Sequence, residues 1–146
     1  MVRRESSSPE ETERLAARLA RELRPGDVVT VAGELGTGKT TFVRGAARAL
    51  GVSEPVTSPT YTVGHRYAGA TPVSHLDLYR FEGLDDEEWG NVEPYFEDAV
   101  VFVEWPEHAA AFLPAPVVAV RLRHLGPEHR LIELESRKKS LEMGVS

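Results

Sequence analysis

The stretch Gly33-Glu34-Leu35-Gly36-Thr37-Gly38-Lys39-Thr40 fits the phosphate-binding pattern G-x-x-x-x-G-K-[ST] at every specified position. Its glycines permit backbone conformations closed to residues that carry a Cβ. The loop can therefore wrap until its N–H groups converge on phosphate oxygens. Lys39 is a compact cation with the reach for β- and γ-phosphates, and the Thr40 hydroxyl suits Mg²⁺. The chemistry expected of Gly33 to Thr41 is the binding of a nucleoside triphosphate with its metal.

Such a loop needs acidic partners. Glu104 follows the apolar run Val100-Val101-Phe102-Val103, where many nucleoside triphosphatases place an aspartate that holds the metal or its water. A strand-end carboxylate facing solvent is the plainer alternative. In His75-Leu76-Asp77-Leu78-Tyr79-Arg80, a strand would put His75, Asp77 and Tyr79 on one face, with Leu76 and Leu78 toward the core. Asp77 is then available to orient water, bind Mg²⁺ or hold His75; a half-exposed edge strand is the alternative. The hydroxyl-rich loop Val56-Thr57-Ser58-Pro59-Thr60 follows the phosphate-binding helix, where a switch loop senses the γ-phosphate and Mg²⁺. On residues alone a plain surface loop stands beside that reading. Trp105 and Tyr61 flank these motifs and serve either packing or stacking. His65, His108, His124 and His129 show no metal-ligand spacing and read as structural or exposed.

The elements that must position these groups are legible around them. Asp27–Ala32 is short, apolar and β-branched, hence a strand. Lys39–Leu50 reads as a helix with Val43, Ala46, Ala47 and Leu50 on one face, and Gly51 stands where a C-terminal glycine belongs. Strand, glycine loop and helix in this order are the context the motif requires. Upstream, residues 1–8 read as disordered. Ser8-Pro9-Glu10-Glu11 carries a capping box with proline at the first helical position, opening a helix to about Leu23. Downstream, residues 61–67 and 73–78 read as an antiparallel hairpin, the acidic 84–96 segment as short helices, and 100–103 as a buried central strand. Residues 106–113 read as a short helix, and 117–123 with 130–135 as a hairpin about Gly126-Pro127. One domain over 9–136 follows, with a mobile basic tail from 137 to 146. The fold class is α/β.

Composition narrows the function. The 146 residues carry a formal net charge of −6, which argues against a stand-alone nucleic-acid binder. The absence of cysteine excludes disulfides and thiolate metal sites and suits a cytoplasmic protein. No apolar run approaches ~18 residues, so no membrane-spanning helix is expected, and the polar N-terminus lacks the apolar core of a signal peptide. No N-K-x-D or T-K-x-D sequence occurs, so the usual guanine-reading element is missing and ATP is favoured.

Taken in order, the phosphate loop with Thr41-Phe42-Val43-Arg44-Gly45 behind it, Val56-Thr57-Ser58-Pro59-Thr60-Tyr61, His75-Leu76-Asp77-Leu78-Tyr79-Arg80 and Val103-Glu104-Trp105 closely resemble the TsaE (YjeE) family of small bacterial ATPases. The resemblance covers roughly residues 9–135. It implies a phosphate-loop fold, a central parallel sheet flanked by antiparallel strands. It also implies a role in the threonylcarbamoyladenosine (t6A) modification beside the anticodon of certain tRNAs. There it implies action with TsaD, which transfers the group, and its paralogue TsaB, with tRNA met indirectly through that complex. At matching positions Lys39 would bind phosphate, Thr40 and Glu104 would bind Mg²⁺, and Asp77 would be a catalytic or metal-ordering acid. Thr60 would lie in the switch-like loop, and Thr12 matches a threonine common before the first helix stripe. Thr37 stands where alanine is common and Tyr61 where phenylalanine is; neither removes a required group. Arg80 is a cis arginine candidate, and a partner is the other source. Two other classes stay open on the residues alone: a small-molecule kinase, which needs an arginine-bearing lid, and a non-hydrolysing nucleotide-dependent binding module.

Overall fold

The computed structural model describes residues 1–58 and 63–145. Its elements are β1 (Val2–Ser6), α1 (Pro9–Ala20), β2 (Val28–Gly33), α2 (Lys39–Ala49), β3 (Gly64–Tyr67), β4 (Val73–Asp77), α3 (Asp86–Val92), β5 (Val100–Glu104), β6 (Val118–His124), β7 (Arg130–Ser136) and α4 (Lys139–Met143). Short 3₁₀ turns lie at Glu93–Phe96 and Pro106–Ala109. The seven strands form one sheet in the order β1-β7-β6-β2-β5-β4-β3. The inner pairs β6–β2, β2–β5 and β5–β4 are parallel; β1, β7 and β3 join antiparallel. This is the parallel centre with antiparallel flanks expected of the α/β class.

The pattern of apolar residues explains the layering. Val100 to Val103 are all fully buried because β5 is covered on both faces. On one face α1 and α2 pack Leu15, Leu19, Phe42, Val43 and Ala46 onto Val29, Val31 and Phe102. On the other, Val101, Val103, Leu76 and Leu78 meet Val92 together with Trp89, Tyr95 and Phe96. Helix α2 runs as expected, and Gly51 takes its C-terminal place at φ +94°. Helices α1 and α2 cross backbone to backbone at Gly45, where an added Cβ would lie 2.4 Å from the Glu13 carbonyl oxygen. Gly45→Ala is expected to destabilise the protein by about 1–3 kcal/mol although alanine is the better helix former. A denaturant midpoint at or above that of the wild type would remove this crossing from the list of constraints.

Both chain ends differ from expectation. Residues 2–6 form an edge strand on β7, from Val2↔Leu134 to Ser6↔Arg130. The segment Val-Arg-Arg-Glu-Ser has no apolar run to announce a strand; the open backbone edge of β7 makes it one. Ser6, almost fully buried, ties this strand to α1 through the Ser8 carbonyl (2.8 Å) and the Thr12 hydroxyl (2.8 Å). The basic tail carries α4. Leu141 and Val145 enter the core, and the N-terminal ammonium lies 3.4 Å from Glu142. Smaller differences concern α1. It ends at Ala20 rather than Leu23, though Leu23 remains buried. Ser8 caps it by accepting the Glu11 N–H at 3.1 Å, while the Glu11 carboxylate reaches back to Ser7 rather than to Ser8. Strand β3 begins at Gly64; Thr60 and Tyr61 lie outside the described residues. Among the described residues no helix is long and apolar enough to cross a membrane.

Candidate active site

Parallel strands end at a common edge, and there the phosphate loop joins β2 to α2. Gly33 must be glycine: an added Cβ would lie 2.6 Å from the Leu122 carbonyl oxygen. Gly38, with φ +98°, takes a left-handed conformation to start α2. Thr37 is buried and its hydroxyl donates to the Glu34 carbonyl at 2.7 Å, bracing the loop from within. Lys39 folds back over the loop. Its Nζ donates to the carbonyls of Gly33 (2.7 Å) and Glu34 (2.9 Å) and stands 4.5 Å from the centre of the Trp105 ring. Burial holds the Lys39 pKa below the ordinary lysine value, with Glu104 and Asp77 acting in the opposite sense.

The acids sit one strand and two strands away. In the parallel register of β4 and β5, Asp77 and Glu104 are direct partners at the C-terminal ends of both strands. Glu104 is 3% exposed, so it is no solvent-facing strand end. One of its oxygens, Oε2, accepts from the Thr40 hydroxyl at 3.0 Å and meets His75 Nε2 at 2.5 Å. With the carboxylate ionised, Nε2 carries the proton. His75 Nδ1 has no hydrogen-bond partner among the described residues. His75 is fully buried, as are Val73, Ser74 and Leu76, which rules out the half-exposed strand for β4. The His75 ring thus stands behind Glu104 and steers it rather than facing the cavity. Strand β4 stops at Asp77, so Tyr79 is not on its face as expected. Instead the Tyr79 N–H donates to Asp77 Oδ1 at 3.0 Å, closing a turn. Burial raises the Asp77 pKa above the ordinary aspartate value; the Tyr79 N–H bond opposes the rise and Glu104 adds to it.

These groups converge on one cavity of about 380 Å³, lined by Lys39, Thr40, Ser58, Asp77, Glu104 and Trp105 with the loop's Leu35, Gly36, Gly38 and Thr41, and with Tyr79 at its mouth. Ser58 reaches it by its hydroxyl, 2.7 Å from that of Thr40. The base of this loop is fixed, since Val56 is buried and its carbonyl accepts from Arg44 at 3.1 Å. Thr57 is exposed and lies outside the cavity lining. Trp105 has φ +57°, a conformation that costs a non-glycine residue about 1–2 kcal/mol. It turns the chain off β5 and lays the ring between Lys39 and Tyr79, whose ring centre is 5.0 Å away. Arg80 is exposed, with its guanidinium 5.2 Å from the Phe81 ring centre, and does not line the cavity.

A second cavity, of about 390 Å³, lies across the loop and shares Gly36, Gly38 and Thr41 with the first; Ser8, Thr12, Pro127 and Arg130 complete much of its wall. Reasoning from sequence missed Arg130 and set His124 aside. Arg130 donates to the carbonyls of Gly36 and Thr37, and His124 Nε2 lies 3.3 Å from that of Leu35. Nothing in the residue order places β6 beside β2, so no sequence signal connects this hairpin to the loop. Thr40 and Glu104 form a contiguous pair of oxygen donors beside Asp77, the hard-ligand chemistry that suits Mg²⁺. Among the described residues there is no cluster of three or more His, Cys, Asp or Glu side chains able to hold a metal by itself, so a cation here would take other oxygens from water or phosphate.

Comparison with known proteins identifies the family and the fold. The family described as "Threonylcarbamoyl adenosine biosynthesis protein TsaE" matches residues 6–132. A tRNA threonylcarbamoyladenosine biosynthesis protein TsaE from Bacillus subtilis is 36% identical over 137 residues, covering 93% of this chain and 86% of its own. The protein of the same description from Treponema pallidum is 38% identical over 128 residues, covering 87% and 95%. A crystal structure of Bacillus subtilis YdiB superposes with a TM-score of 0.79 at 32% identity, over 98% of this chain and 90% of that one. With the family model matching residues 6–132 and these relatives 36–38% identical over most of its length, the chain belongs to the TsaE family of threonylcarbamoyl adenosine biosynthesis proteins.

Proposed function

We propose that the protein is a Mg²⁺-dependent ATPase that serves t6A modification of tRNA in the cytoplasm by driving or resetting a TsaB–TsaD complex. The observation that carries the ATPase reading is the Thr40–Glu104 contact of 3.0 Å at the floor of a cavity rimmed by the phosphate loop. It joins the helix that follows the loop to the central strand, as a hydrolytic phosphate site requires.

In this mechanism Lys39 exchanges its two loop carbonyls for phosphate oxygens. Thr40 and Glu104 would hold Mg²⁺, which when bound would supply neutralisation of the charge that develops on the phosphate; Asp77 would orient the attacking water in line with the leaving oxygen. Neither carboxylate has to be a strong base, because a loose phosphoryl transition state mainly needs its charge neutralised. His75 fixes the Glu104 carboxylate. Ser58, bonded to Thr40, couples the switch-like loop to the same point.

Among the described residues no arginine lines the first cavity. Arg44 is turned to Val56, Arg48 to Glu13 and Arg66 to the Asp98 carbonyl. A kinase lid would need several arginines, and we place the stimulating cation on the partners. Phosphate release is expected to be slow for the protein alone and at least tenfold faster with TsaB and TsaD; a stimulatory arginine in trans is worth more than that in other phosphate-loop enzymes. Equal rates with and without the partners would defeat the proposal. Absence of release in a single-turnover assay would leave only a nucleotide-dependent binding module.

A further inference from the structure

Each carbonyl from Gly33 to Gly38 has a partner, and the partners come from different directions. Lys39 takes Gly33 and Glu34, and the Phe42 N–H takes Gly38 at 2.9 Å. The three between are held from outside the loop by two side chains of the β6–β7 hairpin. His124 meets Leu35 at 3.3 Å, and Arg130 donates to Gly36 through Nη2 and to Thr37 through Nε, both at 3.2 Å. His124 and Arg130 are themselves partners in the last rung of that hairpin. Arg130 is anchored at its own turn, because Nη1 lies 3.1–3.3 Å from the carbonyls of Gly126, Pro127 and His129. The guanidinium is therefore a fixed planar fork with two edges committed to the hairpin and the loop.

A trans peptide is planar, so a carbonyl and the following N–H point in opposite directions. Drawing the carbonyls of 35, 36 and 37 toward the hairpin turns the N–H groups of 36, 37 and 38 away from it. The Thr37 N–H turns from the hairpin into the loop itself, donating to the Glu34 carbonyl at 3.3 Å. We infer that Arg130, assisted by His124, is a positioning residue for anion binding: the hairpin sets the direction of the loop amides before any ligand arrives. Its selectivity is for the phosphate groups and not for the nucleoside. The inference rests on the phosphate-loop reading of Gly33–Thr40.

The test compares wild type with Arg130→Lys and Arg130→Gln by calorimetric titration with ADP and, separately, with inorganic pyrophosphate. Lysine keeps the charge and loses the fork. Arg130→Lys is expected to weaken both ligands by the same factor, tenfold or more, and Arg130→Gln to weaken both at least as much. His124→Gln, at an exposed position, is expected to weaken both by two- to threefold and serves if the Arg130 variants fold poorly. Unchanged affinities would overturn the inference, as would loss of ADP binding with pyrophosphate binding intact, since Arg130 would then touch the nucleoside. If the wild type bound neither ligand, the phosphate-loop reading would fail instead. The amide resonances of the ligand-free protein decide the present point independently: those of Gly36, Thr37 and Gly38 are expected to shift in Arg130→Lys, and their constancy would overturn it.

Discussion

The Lys39→Ala protein is expected to fold as the wild type does and to lose its affinity for nucleoside triphosphate. In the ligand-free protein the Lys39 ammonium satisfies the carbonyls of Gly33 and Glu34, both in a partly exposed loop. Water can replace it there, and the Glu34 carbonyl keeps the Thr37 hydroxyl. The cost to stability is therefore about 1 kcal/mol or less. Bound phosphate has no such substitute. A charge-assisted hydrogen bond contributes about 1.5–3 kcal/mol, so affinity should fall roughly 10- to 150-fold. Equilibrium titration with a fluorescent ATP analogue, set beside a thermal melt, reads the two effects separately. Cells carrying only this variant should have little modified nucleoside in their tRNA; a normal level would sink the functional assignment.

Glu104 divides into two experiments. Glu104→Gln keeps the shape and an oxygen able to accept from His75, so the fold and nucleotide binding should persist. It removes the negative charge beside Thr40, and hydrolysis should fall by about 100-fold or more, the scale on which a positioned electrostatic group acts. Unchanged hydrolysis would reduce Glu104 to a packing residue. Glu104→Ala differs physically. The fully buried His75 already has one nitrogen with no partner among the described residues, and now its Nε2–H loses its acceptor as well. An unsatisfied buried donor costs about 1–3 kcal/mol. The alanine protein should therefore melt clearly below the glutamine protein. Equal melting temperatures would mean that the His75–Glu104 contact contributes nothing to the fold.

Much of this was legible because local chemistry announces itself. The glycines at 33, 36 and 38 mark the loop between a strand and a helix, and the unbroken apolar run at 100–103 names a strand buried on both faces. Gly51 and Ser8 fall at helix ends for reasons that travel with residue type. What stayed hidden depends on which elements become neighbours. Residues 2–6 are mostly charged and become a strand only because β7 leaves an edge beside them. The tail from 137 reads as basic and mobile, and the burial of its Leu141 and Val145 was not legible in that composition. Arg130 and His124 acquire a role only when β6 pairs with β2 and carries the hairpin to the loop. His75 read as one member of a polar strand face; its depth behind Glu104 follows from β4 being an inner strand, flanked by β5 and β3. The Thr60 expectation lies outside the described residues, and Arg80 is placed away from the cavity.

The pairing of Asp77 with Glu104 on the final rung of β4 and β5 has one more consequence. Their backbones are held at the interstrand spacing of about 4.8 Å, which belongs to the sheet and not to either side chain. The rung works as a ruler. Around it, the Ser58 loop, the Trp105 turn and the hairpin can change in length or composition without altering the distance between the two acids. Under the proposed hydrolysis, geometry and timing would fall to different parts of the chain: the rung would fix where the two acids stand, and the surrounding loops would set when they act.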